Sequence, residues 1–401
     1  VKIGFFPDGE INLPGVVMDF DVVGLVSSMI RIDSRNVLPL DVEGERVAYE
    51  EEMGDFVECH LVALGFAIER QYIAEKRPHV IGRRIVDPSY RTLCFEAHLD
   101  TVGTDGMTIS PFEPVVSEGK LYGRGSCDTK GSMGAMLVAC KTLIDLDLPL
   151  NLVFIAGASE ETGVQGTPLL ELRGERIDGI VVGEPTLCRM VVAHKTHDIY
   201  DFTVRGRSAH SSNPDLGDNA IVKASRLVLY LEDELRPYLS SIRDLRFEIG
   251  CTMSVGIIHG GVKCNIVPDE CKVIVDVRRV PGALSATSLG DKVICEMKER
   301  FGVDVELTRL HSAPGMGLDE GDAFMGDVQR ALSSLGYNAE PMTVSYCTDA
   351  GPLSEKGYSC VVLGPGNIAQ AHTACEFVAL DELHKAVEIY VEIGKSMSSR
   401  N

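Results

Sequence analysis

The chain has 401 residues, 45% of them hydrophobic, and a formal net charge of −21. That length and apolar content allow a large core and two domains or three, while the acidic excess argues against nucleic acid or an anionic membrane as partner. No apolar run reaches the roughly 18 residues that a bilayer span needs, and the opening VKIGFFPDGEINLPG lacks the basic-then-apolar order of a secretory leader, so the expected compartment is the cytoplasm.

Strand and helix alternate through the first part. A short apolar run over 92–97 predicts a strand that ends at His98. A helix is expected over 131–144, with small residues at its start and a Met/Leu/Val face. Strands are expected over 152–156 and 180–182, both rich in apolar residues. Buried strands between helices imply a mixed, largely parallel sheet covered on both faces. Ligands bind such sheets beyond the carboxyl ends of the strands.

The pattern changes near residue 196. A strand over 198–204, a helix over 218–235, strands over 252–258 and 271–277, a helix over 283–300 and a strand over 303–310 follow in turn. This βαββαβ order predicts a self-contained α+β domain inserted in the first, spanning 196–312. From 313 the α/β pattern returns, with a helix over 323–335, a strand over 359–363 and a last helix over 381–397. Residues 1–195 and 313–401 would therefore form one domain around the insertion.

Twelve cysteines suggest a disulfide or zinc framework until their positions are read. None forms C-x-x-C, and most lie in apolar segments such as Leu93-Cys94-Phe95. They read as small buried hydrophobes of a reducing compartment. Cys127 and Cys347 stand apart, each beside a polar motif.

Five islands of ligand-type residues punctuate the chain: His98-Leu99-Asp100, Asp128, Glu160-Glu161, Glu184 and His372. Taken singly each is ordinary: a His-Asp surface pair, an Asp capping a helix, a solvated acidic turn. Yet His98, Glu160-Glu161 and Glu184 all lie just past expected strand ends, and acids gathered in one pocket repel each other unless a cation sits among them. In an extended segment His98 and Asp100 point to the same side, so one can ligate while the other orients it. Of Glu160 and Glu161, one can ligate while the other stays free to move protons.

HLDTV at 98–102, LYGRGSCDTKG at 121–131, SEETG at 159–163, VVGEPT at 181–186, AHKTH at 193–197, GRSAHSSNP at 206–214, GIIHGGVKCNIVPDEC at 256–271 and LGPGNIAQAH at 363–372 together resemble the dinuclear-zinc aminoacylase/carboxypeptidase family. The stretch Tyr346-Cys347-Thr348-Asp349-Ala350 is most similar to its acetylornithine deacetylase branch. The resemblance implies a metal-dependent amidohydrolase of N-acyl amino acids. Asp128 would bridge two zinc ions, with a cis peptide at Asp128–Thr129; His98 and Glu184 would complete one site, Glu161 and His372 the other. Cobalt or manganese could replace zinc in such a ligand set. Glu160 would be the general base and Asp100 would hold His98. The inserted domain would act as lid and dimerisation unit, and its His210 would reach the active site of the partner subunit in a homodimer. Asn265, Arg278 and Asn367 match substrate-binding positions, and the guanidinium of Arg278 suits a carboxylate.

Two positions depart from the family pattern: Thr129 stands where relatives often carry Met or an acid, and Asp349 where Glu is common. Other readings are a dipeptidase or carboxypeptidase of the same family, a desuccinylase, and a catalytically silent amino-acid-binding relative. A structural zinc protein is disfavoured because structural sites prefer cysteine-rich tetrads.

Overall fold

A computed structural model describes residues 20–36, 49–172, 174 and 176–399. The N-terminal stretch behind the compartment expectation lies outside the described residues. No described helix is long and apolar enough to cross a membrane.

Two sheets dominate. The larger has nine strands, running Ala67–Ala74, Arg77–Arg84, Leu150–Gly157, Arg91–His98, Gly179–Val182, Cys360–Val362, Val191–His194 and Met316–Gly317, with Met342–Val344 paired to Val191–His194. Its centre is parallel: Arg91–His98 lies between Leu150–Gly157 and Gly179–Val182 in that sense. Alternation along these strands feeds two cores. Leu93, Phe95, Leu152 and Phe154 join the helices Val22–Ile30, Lys130–Asp145, Ala323–Ser334 and Leu380–Ser398 on one face. Cys94, Val153, Ile155 and Ile180 meet Ala350 and Leu353 of the helix Ala350–Glu355 on the other. Burial on both faces explains why these strands read as continuous apolar runs.

The second sheet has four antiparallel strands in the order Thr252–Gly260, Glu270–Arg278, His197–Arg205 and Val305–Ala313. The helices Ala220–Tyr230 and Ala286–Phe301 complete the expected βαββαβ sequence of elements. Phe202, Leu227, Val273 and Val293 belong to its own core. One expected element differs. The helix over 218–235 is α-helical only across Ala220–Tyr230; Leu231–Leu235 is a π segment, followed by Arg236–Ser241. Pro237 has no amide hydrogen to donate back into the preceding turn, so the regular ladder cannot continue through it.

All twelve cysteines are free thiols, and seven are buried. Cys264, Cys295 and Cys375 are exposed, against the expectation for most of the set, because a loop and an outer helix face carry them.

Candidate metal centre

Strand register brings the islands together. His98 is opposite Gly157, and Glu96 is opposite Val182, so three parallel strands end side by side. Glu160-Glu161 and Glu184 leave from those same ends. Asp128 arrives from the other direction, in the turn before the helix Lys130–Asp145. Gly123 and Gly125 in that turn have φ of 149° and 80°. The positive φ of Gly125 is a conformation that side-chain-bearing residues rarely adopt, and a Cβ there would also strike Thr101 at 2.8 Å. Asp128 does not cap the helix; Thr129 occupies the N-cap without a side-chain capping bond, after a cis Asp128–Thr129 peptide.

The Asp128 carboxylate is shared between two imidazoles. Its Oδ1 is 3.1 Å from His98 Nε2 and its Oδ2 is 3.2 Å from His372 Nε2. Glu184 Oε1 lies 3.9 Å from His98 Nε2, and Glu161 Oε2 lies 3.0 Å from His372 Nε2. One ligand atom from each of His98, Asp128 and Glu161 falls within 4.8 Å of the others. His98 Nδ1 donates to the Asp100 carbonyl at 2.9 Å, which directs the Nε2 lone pair into the cluster.

The carboxylate of Asp100 does something else. Its oxygens stand 3.6 Å or more from His98 Nδ1 and accept from the Glu160 amide (3.1 Å), the Glu161 amide (3.1 Å) and Asn36 Nδ2 (2.9 Å). The main chain of Asp100 thus orients the histidine, and its side chain orients the acidic turn. His79 holds that turn from behind: Nδ1 accepts from the Ala158 amide and Nε2 donates to the Gly166 carbonyl, each at 3.1 Å. Glu50 accepts from the Ser159 amide and from Arg77. Ser159 and His372 both take left-handed φ, 57° and 60°, conformations that persist only where neighbours impose them.

The electrostatics describe an acid cluster short of positive charge. Burial, and then the Asp128 charge, raise Glu161 to about 7 and Glu184 well above the usual range. Burial also raises Glu160 well above it; the His98 charge opposes this and Glu161 reinforces it. Burial works against the charged form of His98, but the Asp128 hydrogen bond and the Glu184 and Glu160 charges hold its imidazole well above the ordinary value. Hydrogen bonds to Asp128 and Glu161 lift His372 to about 10. Glu161 Oε1 is buried without a hydrogen-bond partner. The carboxylates of Asp128, Glu161 and Glu184 and the two imidazoles, with one Glu161 oxygen left unpartnered, fit a bound cation better than any internal pairing.

The remaining expected site residues are placed as follows. Arg278 is half-buried and bound to Asp276 at 3.0 and 3.3 Å; its charge is felt by Cys347, which also lies beside Glu160. Asn367 begins the short turn Ile368–Gln370 and accepts from the Ala369 amide. His210 and Asn265 are exposed neighbours on loops of the four-stranded sheet, joined through Ser211 and a His210–Ile266 bridge. Among the described residues neither makes a hydrogen bond or ion pair with the ligand cluster. Thr129 is buried, its hydroxyl donating to the His98 carbonyl at 3.4 Å. Asp349 is buried beneath the site, where burial raises it to about 6; burial and the Asp349 charge raise Glu96 well above its ordinary value. Glu96 was visible in the sequence as an acid inside the run TLCFEAH. Asn36, Glu50, His79 and Glu376 carried no such signal.

Residues 94–396 match the model of peptidase family M20/M25/M40. The acetylornithine deacetylase of Myxococcus xanthus is 31% identical over 341 residues, 82% of this chain and 87% of that protein. A tripeptidase structure from Staphylococcus aureus superposes with a TM-score of 0.75 at 21% identity, covering 94% of this chain and 98% of the other. A dinuclear metal binding peptidase of Bacillus subtilis gives 0.66 at 14% identity, covering 93% and 96%. The two structural likenesses extend over nearly the whole chain. The chain belongs to peptidase family M20/M25/M40 and is a metal-dependent amidohydrolase.

Proposed function

We propose that the chain is a deacetylase of N-acyl amino acids of the acetylornithine deacetylase type, using two zinc ions. The observation that carries the dinuclear reading is the two-sided Asp128 carboxylate, with one oxygen toward His98 and Glu184 and the other toward His372 and Glu161. Those five residues would hold the metals. When bound, a zinc pair supplies Lewis acidity and a water that ionises near neutral pH, at about 7.

The protein's own groups supply the rest. Glu160, kept from ionising easily by burial, takes a proton from the attacking water and delivers it to the departing amine nitrogen. Asp100 holds the turn that carries it. Arg278 pairs with the carboxylate of the amino acid once released from Asp276, with Asn265 and Asn367 fixing the remainder. We also propose that residues 196–312 form a lid and dimerisation domain, and that His210 from the partner subunit polarises the scissile carbonyl, where charge develops. The cytoplasm is the proposed compartment.

The deacetylase reading rests on the Myxococcus xanthus relative, the Tyr346–Ala350 stretch and LGPGNIAQAH. A dipeptidase is the second reading, in keeping with dipeptidase structures that share the fold. Hydrolysis of N-acetylornithine, N-acetylmethionine, N-acetylcitrulline, N-succinyl-diaminopimelate and simple dipeptides by zinc-loaded protein separates them. Turnover confined to dipeptides would sink the deacetylase reading.

A further inference from the structure

Glu376 lies four residues past His372 and is fully buried. Its Oε1 accepts from the Cys127 amide at 2.9 Å and the Asp128 amide at 3.1 Å. Its Oε2 accepts from the Gly125 amide at 3.0 Å and from Arg124 at 2.7 Å. All four positions at which a carboxylate readily accepts are therefore occupied, and every partner is a donor. The main chain adds a fifth link, because the Gly123 amide donates to the Glu376 carbonyl at 3.2 Å. Arg124 is itself fixed through Nε to the Gly103 carbonyl at 3.0 Å. One side chain thus ties the loop that carries His372 to the loop that carries Asp128.

We propose that Glu376 is a positioning residue for the metal centre: it sets the place of Asp128 between the His98 and His372 sides. This rests on the dinuclear reading above. Among the described residues it meets that group through the Asp128 amide, so it acts through Asp128 rather than as a ligand. The charge and shape of the carboxylate both matter. In a Glu376→Gln protein the amide NH2 must face either the Gly125 and Arg124 donors or the Cys127 and Asp128 donors, so two bonds are lost with almost no change in volume.

The test uses the full chain, stripped of metal and titrated with Zn2+ against a chromophoric chelator, then loaded with Co2+ for its visible absorption. Glu376→Gln is expected to bind Zn2+ about 10–100-fold more weakly, the range for groups that orient ligands, and to show an altered Co2+ spectrum. The metal-free variant should still unfold cooperatively. Parent-like affinity and spectrum, whatever the thermal midpoint, would overturn the proposal. If Glu376→Gln does not fold, Glu376→Asp keeps the charge on a shorter reach and is expected to weaken binding in the same direction. Parent-like binding by that variant, or failure of both to fold, reduces Glu376 to a scaffold residue and ends the proposal. A parent protein that binds no metal would instead overturn the dinuclear reading.

Discussion

In the four-stranded sheet Asp198 is fully buried, and its carboxylate accepts from Arg279 Nε (2.8 Å), Thr196 Oγ1 (2.8 Å) and Ser312 Oγ (2.7 Å). At the carboxyl edge of the nine-stranded sheet Glu161, Glu184 and Asp128 share two imidazoles, buried Glu160 stands beside them, and one Glu161 oxygen has no partner. Both regions bury acid, but only the first brings enough donors to neutralise it. A buried acid with a full complement of partners is part of the frame. A group of buried acids without them marks a place for something the chain does not itself provide.

That contrast can be broken by experiment. The largest effect is expected at Glu160, the acid proposed to carry protons. Glu160→Ala should cut kcat on the order of 10²–10⁴-fold while zinc content, read by metal analysis, is unchanged; retained turnover would remove Glu160 as the base. His210→Ala should also lower turnover with full zinc. A verified heterodimer of the two variants should recover part of the activity, since one of its hybrid sites receives both intact residues. Absence of recovery would sink the shared site.

Next comes the satisfied acid. Asp198→Ala leaves the Arg279 charge buried with its main partner gone, a loss of about 3–5 kcal/mol in denaturant unfolding, with zinc affinity unaltered. Weakened zinc binding would show that the two regions are not separable.

The smallest expected effect is pH-dependent. Burial holds His79 at about 4, below the roughly 6.5 of an unfolded chain. Its contribution is complete above pH 6.5 and is lost as pH falls from 6.5 toward 4, since the unfolded state then binds the extra proton. The loss amounts to about 3 kcal/mol. In metal-free protein, the stability difference between parent and His79→Gln should narrow across that window. A difference independent of pH would show that His79 is not held neutral.

Much of this was legible in the sequence, for a physical reason. Strands buried on both faces leave unbroken apolar runs, so 92–97, 152–156 and 180–182 announce themselves, and the acids beyond them are conspicuous. The candidate ligands could be gathered because parallel strands of one sheet end on one edge. What was not legible depends on contacts between distant segments. The His98–Asp100 spacing suggested a side-chain pair, yet a carbonyl does the orienting and the carboxylate turns to Glu160 and Glu161. His79 and Glu50 lie on or just before apolar elements and acquire meaning only when the Ser159 turn packs on them. Pro237 sits past the end of the expected helix, so its effect on the preceding turn escaped a reading of apolar periodicity.

The loop at Asp128 and the Glu376 that grips it are 248 residues apart in the chain. Such a contact cannot form until nearly all of the polypeptide exists. If that contact sets Asp128 as proposed, the ability to hold metal is a late acquisition during synthesis, withheld from truncated or half-folded chains. A protein shortened before His372 should keep its first strands and still fail to retain a metal ion, which makes tight metal retention a report on completion of the fold.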